Sequence, residues 1–455
     1  MATTYDLVIL GGGPGGFDAA VEAAGSGLKT ALVEAGELGG TCLNRGCIPT
    51  KLWLGATEAV DELAAQTKMR VATGSVHIDF AALQMRKDKY IAATRKAMQQ
   101  RLAQLGVDLV PGLGRVVGAG SLEVQTPDGP KALSCRNLIV ATGSRPGSFP
   151  GLEPDGAKVL DSTGLLSLAE MPKSLIVVGG GFIGLEMAQA AQRMGAQITL
   201  VDALKRLAGA EDPEVSKTLE AVFKRQGWDL RLGVKVASVK TRGEQAVLVL
   251  EGGEELHADC ALIAVGRRPN TVDLGLEALG ATLTGAGYIK TDAQLMAAPG
   301  VFAVGDVNGR MLLAHAASHQ AHYVVERLLG RTHKPYDSGP VPSILYGAPE
   351  VFRAGIMAEE AKAHGEAVLV SRAQLIANPI AQAHAATHGF VKCVWRDGKI
   401  AGITAVGAGV SRLACFATLI IKLGWTREDA SGFMFPHPTL DESLKAALLA
   451  DKEAV

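Results

Sequence analysis

The sequence predicts an α/β fold with two nested Rossmann-like modules and a separate α+β domain at the C-terminus. The main observation is that one pattern of strand, glycine-rich loop, helix, strand and acidic residue occurs twice, at 7–34 and at 175–202. The residues after about 340 differ, because they have fewer glycine loops and show two strand-like segments, 389–395 and 400–406, before helical stretches. A chain of 455 residues is also too long for one ordinary core.

The overall composition is that of a well-packed globular protein, with 48% hydrophobic and 20% charged residues. The net charge of -1 favours neither nucleic acid nor an anionic membrane as a partner. No apolar run approaches the length of a spanning helix, and no basic region precedes the first apolar stretch, so we expect no membrane span and no signal peptide. Six cysteines do not make a secreted disulfide scaffold, and a cytoplasmic location is expected.

The first module begins with the apolar strand 7–10, which runs into the loop 11–16, Gly-Gly-Gly-Pro-Gly-Gly. An alanine-rich helical stretch, the strand 30–33 and Glu34 follow. The glycines let a backbone approach a pyrophosphate, the helix N-terminus favours its negative charge, and the acid accepts a hydrogen bond from a ribose hydroxyl. A glycine-rich turn is the simpler alternative, but the flanking strands and the placement of Glu34 favour a dinucleotide site.

The second module repeats this order with the strand 175–178, the loop 179–184, the strand 198–201 and Asp202. A carboxylate at Asp202 would accept from a free 2′-hydroxyl and repel a 2′-phosphate, which favours NAD over NADP. Lys205 and Arg206 lie close by in the sequence and leave NADP open, since basic groups there could meet a phosphate.

Two further strand-like segments end in residues suited to a ligand. The first, at 138–144, ends in a tight turn that contains Ala141-Thr142-Gly143, and the second, at 301–306, ends in Asp306. Either segment could be merely structural, although Asp306 at the carboxyl end of a strand is well placed for a ligand hydroxyl.

Two cysteines, Cys42 and Cys47, follow the first glycine loop by about thirty residues. Residues five apart in a regular helix are separated by roughly 8 Å, whereas a disulfide needs α-carbons within about 7 Å. A bridge would therefore need a distorted helix start, which Gly46 and Pro49 permit. The spacing leaves two interpretations open: two unrelated buried thiols, or a redox pair that carries two electrons.

A histidine near the C-terminus, His437, is flanked by prolines that restrict its backbone. Thr439 with Glu442 three residues later fits a capping box that opens the last helix, which would make His437 an incidental loop residue. The functional interpretation is an imidazole held near a carboxylate and suited to exchange a proton with a thiol. Both interpretations hold if one carboxylate oxygen of Glu442 faces His437 and the other faces the backbone at the helix start.

Together these motifs resemble the pyridine nucleotide-disulfide oxidoreductases, and within that family the dihydrolipoyl dehydrogenases. The resemblance covers essentially the whole chain, and the motifs are highly specific in this order. They are Gly-Gly-Thr-Cys-Leu-Asn-Arg-Gly-Cys-Ile-Pro-Thr-Lys at 39–51, both glycine loops, Ala141-Thr142-Gly143, Gly-Arg-Arg-Pro-Asn at 266–270, Phe-Ala-Val-Gly-Asp at 302–306 and His-Pro-Thr-Leu-Asp-Glu at 437–442.

The resemblance implies FAD at the first glycine loop and NAD at the second, with no metal. The implied FAD-site residues are Gly11, Gly13, Gly16, Glu34, Thr41, Lys51, Gly114, Thr142, Gly143, Ser144, Asp306 and Ala314. The implied NAD-site residues are Gly179, Gly180, Gly181, Ile183, Gly184, Asp202, Val236 and Gly266. The implied domains are an FAD-binding domain at 1–148 and 271–338, an NAD-binding domain at 149–270 and a dimerisation domain at 339–455.

The implied activity is oxidation of dihydrolipoyl groups to the disulfide with reduction of NAD+, through FAD and a redox disulfide. Cys42 would meet the substrate, Cys47 would lie nearer the flavin, and Glu442 would orient His437 as the base. The implied partners are a second copy of the chain, which supplies His437 across the interface, and dihydrolipoamide or a lipoylated carrier protein. A 2-oxo acid dehydrogenase or the glycine cleavage system would be the wider assembly.

The chain departs from the family pattern at four places. Arg45 replaces a small apolar residue, and Phe435 and Pro436 replace a second histidine and an alanine. The segments 346–350 and 409–413 lack the usual polar pair and the usual acid. We therefore hypothesise a non-standard substrate or lipoylated carrier. The alternative is a related NAD(P)H-dependent disulfide reductase, whereas retention of Cys42, Cys47, His437 and Glu442 disfavours a non-catalytic flavoprotein scaffold.

Overall fold

The structure is a computed structural model that describes residues 4–455. The chain forms two compact units: unit 1 contains the described residues up to Pro49, 84–147 and 267–338, and unit 2 contains 50–83, 148–266 and 339–455. The segment 50–83 therefore groups with the implied NAD-binding and C-terminal domains, not with the rest of 1–148. The reason is packing, because Trp53 and Leu54 are buried in one hydrophobic cluster with Leu185 and Leu345 of unit 2.

Within residues 4–455, no helix combines the length and the apolar character needed to cross a membrane. The α-helices are α1 (Pro14–Gly25), α2 (Gly40–Arg45), α3 (Cys47–Ala56), α4 (Glu58–Lys68), α5 (Phe80–Gln104), α6 (Ser162–Leu166), α7 (Phe182–Arg193), α8 (Pro213–Arg225), α9 (Ala314–Leu328), α10 (Ala358–Ala363), α11 (Pro379–Ala383), α12 (Ala414–Leu423), α13 (Arg427–Gly432) and α14 (Asp441–Leu449).

The strands are β1 (Thr4–Leu10), β2 (Thr30–Glu34), β3 (Asp108–Pro111), β4 (Leu113–Gly118), β5 (Ser121–Thr126), β6 (Gly129–Val140), β7 (Ser144–Pro146), β8 (Val159–Leu160), β9 (Ser174–Val178), β10 (Gln197–Asp202), β11 (Asp229–Leu232), β12 (Val236–Arg242), β13 (Gln245–Leu250), β14 (Glu255–Ala258), β15 (Cys260–Ile263), β16 (Arg267–Pro269), β17 (Met296–Ala298), β18 (Val301–Ala303), β19 (Ser343–Leu345), β20 (Glu350–Gly355), β21 (Leu369–Gln374), β22 (Phe390–Arg396), β23 (Lys399–Gly407) and β24 (Glu453–Ala454).

Unit 1 is built on a mostly parallel sheet in the order β17-β18-β6-β1-β2-β3, with β4 and β5 attached to β6. Both faces of its central strand are buried, because Val8 and Leu10 lie in one hydrophobic cluster while Leu7 and Ile9 lie in another. The alanines of α1 pack in the second of these clusters. The first predicted Rossmann-like module is thus confirmed.

Unit 2 contains a parallel sheet in the order β11-β10-β9-β15-β8, a three-stranded sheet β12-β13-β14 and an antiparallel sheet β19-β20-β23-β22-β21-β24. The strand β9 repeats the two-faced burial of β1, with Leu175 and Val177 in one cluster and Ile176 and Val178 in another. The antiparallel sheet shares a core with α12 and α14, so the predicted α+β character of the C-terminal region is confirmed.

Candidate active site

The first glycine loop joins β1 to α1 at the carboxyl end of the parallel strands. Gly11 has a φ of +101°, and a Cβ at this position would collide with the carbonyl of Ala141. A Cβ at Gly16 would collide with the carbonyl of Gly11. Both glycines are therefore required by close backbone approach, as a dinucleotide-binding turn demands.

Glu34, at the end of β2, closes this loop. Its Oε2 accepts the N–H of Gly12 at 2.5 Å, and its Oε1 accepts the N–H of Gly36 at 2.7 Å. A carboxylate offers about four acceptor positions, so Glu34 keeps capacity for ribose hydroxyls.

The second glycine loop, between β9 and α7, repeats this geometry in unit 2. Gly179 has a φ of +110°, and a Cβ at Gly184 would collide with the Gly179 carbonyl. Asp202 Oδ2 accepts the N–H of Gly180 at 2.6 Å, and Oδ1 accepts the N–H of Leu204 at 2.7 Å. The two modules therefore share their backbone contacts as well as their strand order.

The space beside Gly13 and Gly181 is not filled by other protein atoms. They are the N-caps of α1 and α7 and have extended backbones, with φ of -69° and -79°. A Cβ at either position would meet no protein atom within 4 Å. Since neither strain nor packing requires these glycines, they mark open space before two helix N-termini, where a pyrophosphate is favoured. The residues present fit two dinucleotides.

Three residues of unit 1 contact or surround Ser144, the first residue of β7. Thr41 Oγ1 donates to the Ser144 carbonyl at 3.3 Å, and Ser144 Oγ donates to Asp306 Oδ2 at 2.5 Å. Arg267 donates to both the hydroxyl and the carbonyl of Ser144 at 2.7 Å and lies 3.7 Å from Asp306 Oδ2. The structure thus joins three predicted FAD-site residues and adds Arg267, which the sequence analysis missed although it stands in the 266–270 motif.

The turn after β6 is held by Asn270, which belongs to the same 266–270 motif as Arg267. Thr142 Oγ1 donates to the Asn270 carbonyl at 2.7 Å, and Asn270 Nδ2 donates to the Thr142 carbonyl at 2.9 Å. Gly143 has a φ of +68° and no protein atom near its Cβ position. Asn270 is therefore a second missed residue, since it fixes the predicted Thr142-Gly143 turn.

The other implied cofactor residues are spread over several elements, and their ligand roles stay predictions. At Gly114, on β4, a Cβ would lie 2.6 Å from Leu10, so packing already explains the glycine. The rest stand at the first position of α9 for Ala314, within α7 for Ile183, at the first position of β12 for Val236 and just before β16 for Gly266.

The cysteine segment is helical but interrupted between the two cysteines. The helix α2 ends at Arg45, Gly46 has φ and ψ of -147° and -107°, and α3 begins at Cys47. The distortion that a bridge would require is therefore present, at a glycine whose Cβ would lie 3.0 Å from the Thr41 carbonyl. Cys42 is half-buried and Cys47 is exposed.

Asn44, between the cysteines, holds this segment in place. Its Nδ2 donates to the carbonyls of Glu37, Leu38 and Gly40 at 3.2, 3.1 and 2.9 Å. Its Oδ1 accepts from Arg95 of α5 at 2.9 Å, and Arg95 forms a 2.6 Å salt bridge with Glu37. This anchoring network was not predicted, because its partner lies 51 residues away along the chain.

Three other cysteines are buried. Burial raises the pKa of Cys135 to about 11 and also raises the pKa of Cys260 and of Cys393. Since the thiolate is the nucleophile, these thiols are inert at neutral pH.

Lys51, implied for the FAD site, is fixed by a residue that the sequence analysis missed. Its ammonium forms a 2.6 Å salt bridge with Glu186 of α7 and lies 4.6 Å from the centroid of the Tyr346 ring. Glu186 is 7% exposed, and its other oxygen accepts the N–H of Tyr346 at 3.0 Å. The available signal was an acid within the apolar helix that follows the second glycine loop.

His437 and Glu442 form the predicted pair. His437 Nδ1 lies 3.0 and 3.1 Å from the two carboxylate oxygens of Glu442, and Glu442 Oε2 also accepts the N–H of Thr439 at 3.1 Å. Hydrogen bonds from His437 and then from Thr439 lower the pKa of Glu442. Because a carboxylate only accepts, Nδ1 carries the proton and Nε2 is left for proton exchange in the neutral ring.

The predicted capping box is only half formed. Glu442 reaches back to Thr439, but Leu440 is the N-cap of α14 and the Thr439 hydroxyl donates to the Pro436 carbonyl at 2.8 Å. Glu442 therefore serves both His437 and the backbone, as the combined interpretation requires.

Packing explains the departure at 346–350. Gly347 has a φ of +125°, and a Cβ there would collide with the amide of Gln189. Gln189 is buried, accepts the Ala348 N–H at 2.7 Å and donates to the Tyr346 carbonyl at 3.4 Å. The glycine is therefore a consequence of Gln189.

The residues at the other departures make local contacts. The Phe435 ring is buried among aromatic side chains, 5.7 Å from Phe416 and 5.1 Å from Phe433 between centroids. The Ser411 N–H donates to Glu350 Oε2 at 2.8 Å. Arg45 is exposed, and its guanidinium turns toward the loop after β2. The hypothesis of a non-standard substrate or lipoylated carrier stays a prediction.

Comparisons with known proteins confirm the resemblance seen in the sequence. The profile of the family described as pyridine nucleotide-disulphide oxidoreductase matches residues 5–321, and the profile of its dimerisation domain matches residues 341–448. Dihydrolipoyl dehydrogenase of Chlorobaculum tepidum is 38% identical, over 98% of this chain and 97% of that protein. Dihydrolipoyl dehydrogenase 3 of Pseudomonas aeruginosa is 37% identical, over 99% of this chain and 98% of that protein.

A solved structure agrees. The crystal structure of LpdA from Mycobacterium tuberculosis has a TM-score of 0.90 at 27% identity and covers 98% of this chain and 99% of that one. Proteins of this family use FAD and NAD(P), which fits the two glycine-loop sites. The chain belongs to the pyridine nucleotide-disulphide oxidoreductase family.

Proposed function

We propose that this protein is an NAD-dependent dihydrolipoyl dehydrogenase that works as a homodimer. The observation that carries the proposal is the direct packing of the cysteine segment on the first glycine loop. The Gly39 N–H donates to the Gly12 carbonyl at 2.8 Å, and a Cβ at Gly40 would lie 2.8 Å from the Cα of Gly13. The contact supports the proposal because it joins the segment of the proposed redox cysteines to the loop of the proposed FAD site.

The residues divide the chemistry as follows. His437 of the partner subunit takes a proton from one thiol of the dihydrolipoyl group at Nε2, because the thiolate is the nucleophile. The thiolate attacks Cys42 Sγ, and the electron pair of the Cys42–Cys47 bond leaves with Cys47. The second substrate thiol loses its proton and displaces Cys42, which releases the oxidised disulfide and leaves both cysteines reduced.

FAD bound at the first glycine loop would supply the two-electron link between the reduced cysteines and NAD+. Glu442 holds the Nδ1–H of His437, so the ring presents Nε2 to the thiol. The salt bridge to Glu186 keeps Lys51 fixed at the start of α3.

Contacts near Asp202 support NAD over NADP. Arg206 Nη2 donates to the Gly209 carbonyl at 2.7 Å, so this guanidinium is already engaged within its own loop. Lys205 is exposed, while the Asp202 carboxylate faces Gly180, where a ribose would bind. A 2′-phosphate would meet that carboxylate.

The dimerisation-domain match supports the homodimer, and the names of the relatives support a dihydrolipoyl substrate. A lipoylated carrier of a 2-oxo acid dehydrogenase or of the glycine cleavage system is the physiological substrate that we propose, in the cytoplasm.

The test is a steady-state assay of the purified protein with dihydrolipoamide, glutathione disulfide and Hg(II), each with NAD(H) and NADP(H). We expect turnover with dihydrolipoamide and NAD+, its loss in Cys42→Ser, and its retention in Cys415→Ser, a control at an exposed cysteine. Faster turnover of glutathione disulfide or Hg(II), or a preference for NADP(H), would favour the alternative disulfide reductase.

A further inference from the structure

The loop between β10 and α8 folds back onto the second glycine loop. The Ala208 N–H donates to the Gly180 carbonyl at 2.8 Å, and the Leu207 side chain packs under Gly180. The first module has the same bond at the same distance, from Gly39 to Gly12. Ala208 therefore occupies in the NAD module the position that Gly39 occupies in the FAD module.

The two positions differ in strain. Gly39 has a φ of +96°, which a glycine adopts freely, whereas the buried Ala208 has a φ of +46°. Left-handed backbone is costly for a residue with a Cβ and persists only where surrounding contacts impose it. The Ala208 turn needs such contacts.

Two ion pairs between this loop and the antiparallel sheet of unit 2 provide the contacts that support the Ala208 turn. The Glu211 N–H donates to the Ala208 carbonyl at 2.7 Å, and the Glu211 carboxylate, 4% exposed, accepts from Arg353 Nε of β20 at 2.8 Å. The next residue, Asp212, is 2% exposed and pairs with Lys392 Nζ of β22 at 2.7 Å.

We propose that Arg353 and Lys392 are positioning residues for NAD, because their ion pairs hold the strained Ala208 turn against the second glycine loop. The inference deepens the proposed function and rests on its NAD site. It makes the C-terminal sheet a support of that site, in addition to its part in the dimer. A buried ion pair adds little net stability, so geometric control of the loop is the expected benefit.

The experiment measures ADP-ribose binding to the purified holoenzyme by calorimetry, together with KM for NAD+ and for dihydrolipoamide. ADP-ribose is the probe because it carries the adenosine and pyrophosphate of NAD and no reactive nicotinamide. Arg353→Met should weaken ADP-ribose binding and raise KM for NAD+ by about three- to thirtyfold, with KM for dihydrolipoamide and kcat at saturating NAD+ unchanged. Arg353→Lys should recover part of the loss.

Arg396→Met is the matched control, since Arg396, also on the antiparallel sheet, pairs with Glu366 at 2.7 Å between half-exposed side chains. It should bind ADP-ribose like the wild type. Ala208→Gly, added to Arg353→Met, should restore affinity because glycine needs no support at positive φ.

Wild-type affinity in Arg353→Met, or an equal rise in both KM values, would overturn the inference. So would a double variant with Ala208→Gly that binds no better than Arg353→Met. Failure of the wild type to bind ADP-ribose would instead overturn the proposed NAD site itself. Lys392 pairs with both Asp212 and Glu214, so Lys392→Met strands two carboxylates, whereas Arg353→Met strands only Glu211. The decision therefore rests on the Arg353 variants.

Discussion

Replacing Gly13 by alanine separates ligand binding from folding at the first glycine loop. The φ of -69° suits alanine, and the new Cβ would meet no protein atom within 4 Å. The lower entropy of the unfolded chain and the poorer N-cap offset each other, so the free energy of unfolding of the apoprotein should stay within about 0.5 kcal/mol of the wild type. The Cβ would, however, stand where the pyrophosphate approaches the N-terminus of α1.

The loss in FAD affinity follows from the contacts removed. A hydrogen bond to a charged group is worth about 1.5–3 kcal/mol, and every 1.4 kcal/mol is about tenfold in affinity. Losing one backbone contact to phosphate should therefore weaken FAD binding by about 10- to 100-fold.

The assay is fluorescence titration of flavin-free protein with FAD, paired with urea unfolding of the same apoprotein. Gly25→Ala, at the exposed end of α1 where a Cβ also meets nothing, should leave FAD affinity unchanged and raise the free energy of unfolding by at most about 1 kcal/mol. Gly16→Ala should lower stability, because its Cβ collides with the Gly11 carbonyl. Wild-type FAD affinity in Gly13→Ala, or a loss of stability like that of Gly16→Ala, would show that the space beside Gly13 does not receive the pyrophosphate.

Two other substitutions follow from the site. Glu442→Gln should reduce kcat by about ten- to a hundredfold, part of the contribution of a well-placed base. The pKa of Glu442 is lowered, so its carboxylate is ionised at neutral pH and becomes protonated only as the pH falls through that lowered pKa. The ratio of the wild-type kcat to the Glu442→Gln kcat should therefore be flat near neutrality and shrink in acid. A ratio of wild-type to variant kcat that grows as the pH falls would contradict this prediction. Lys51→Met should lower the free energy of unfolding by about 1–3 kcal/mol in a urea titration, because it strands Glu186. Adding Glu186→Gln to Lys51→Met should recover most of the lost free energy of unfolding. A double variant as unstable as Lys51→Met would argue against a stabilising Lys51–Glu186 salt bridge.

Features set by neighbouring residues were predictable from the sequence. Gly11, Gly16 and Glu34 meet within one strand–helix–strand unit, so their spacing alone indicated a dinucleotide turn. The same holds for His437 and Glu442, five residues apart. The sequence also indicated that a bridge between Cys42 and Cys47 would need a distorted helix, and the helix is interrupted at Gly46.

Features set by distant contacts were not predictable. Lys51 finds Glu186 135 residues away, and Arg353 finds Glu211 142 residues away. The departure at 346–350 was seen in the sequence, but nothing local showed that the Gln189 amide fills the place of a side chain at Gly347. Nothing local showed that Trp53 of the segment 50–83 packs in the core of unit 2.

Differential alkylation of the cysteines tests the central claim that electrons pass between NAD(H) and the pair Cys42–Cys47. The holoenzyme is treated with NADH or buffer without oxygen, alkylated under denaturing conditions and digested with trypsin. Cleavage after Arg45 places Cys42 and Cys47 on separate peptides. NADH should make both cysteines reactive where buffer does not, while labelling of Cys135, Cys260, Cys393 and Cys415 stays the same. Equal labelling of Cys42 and Cys47 with and without NADH, or an NADH-dependent gain at another cysteine, would contradict it.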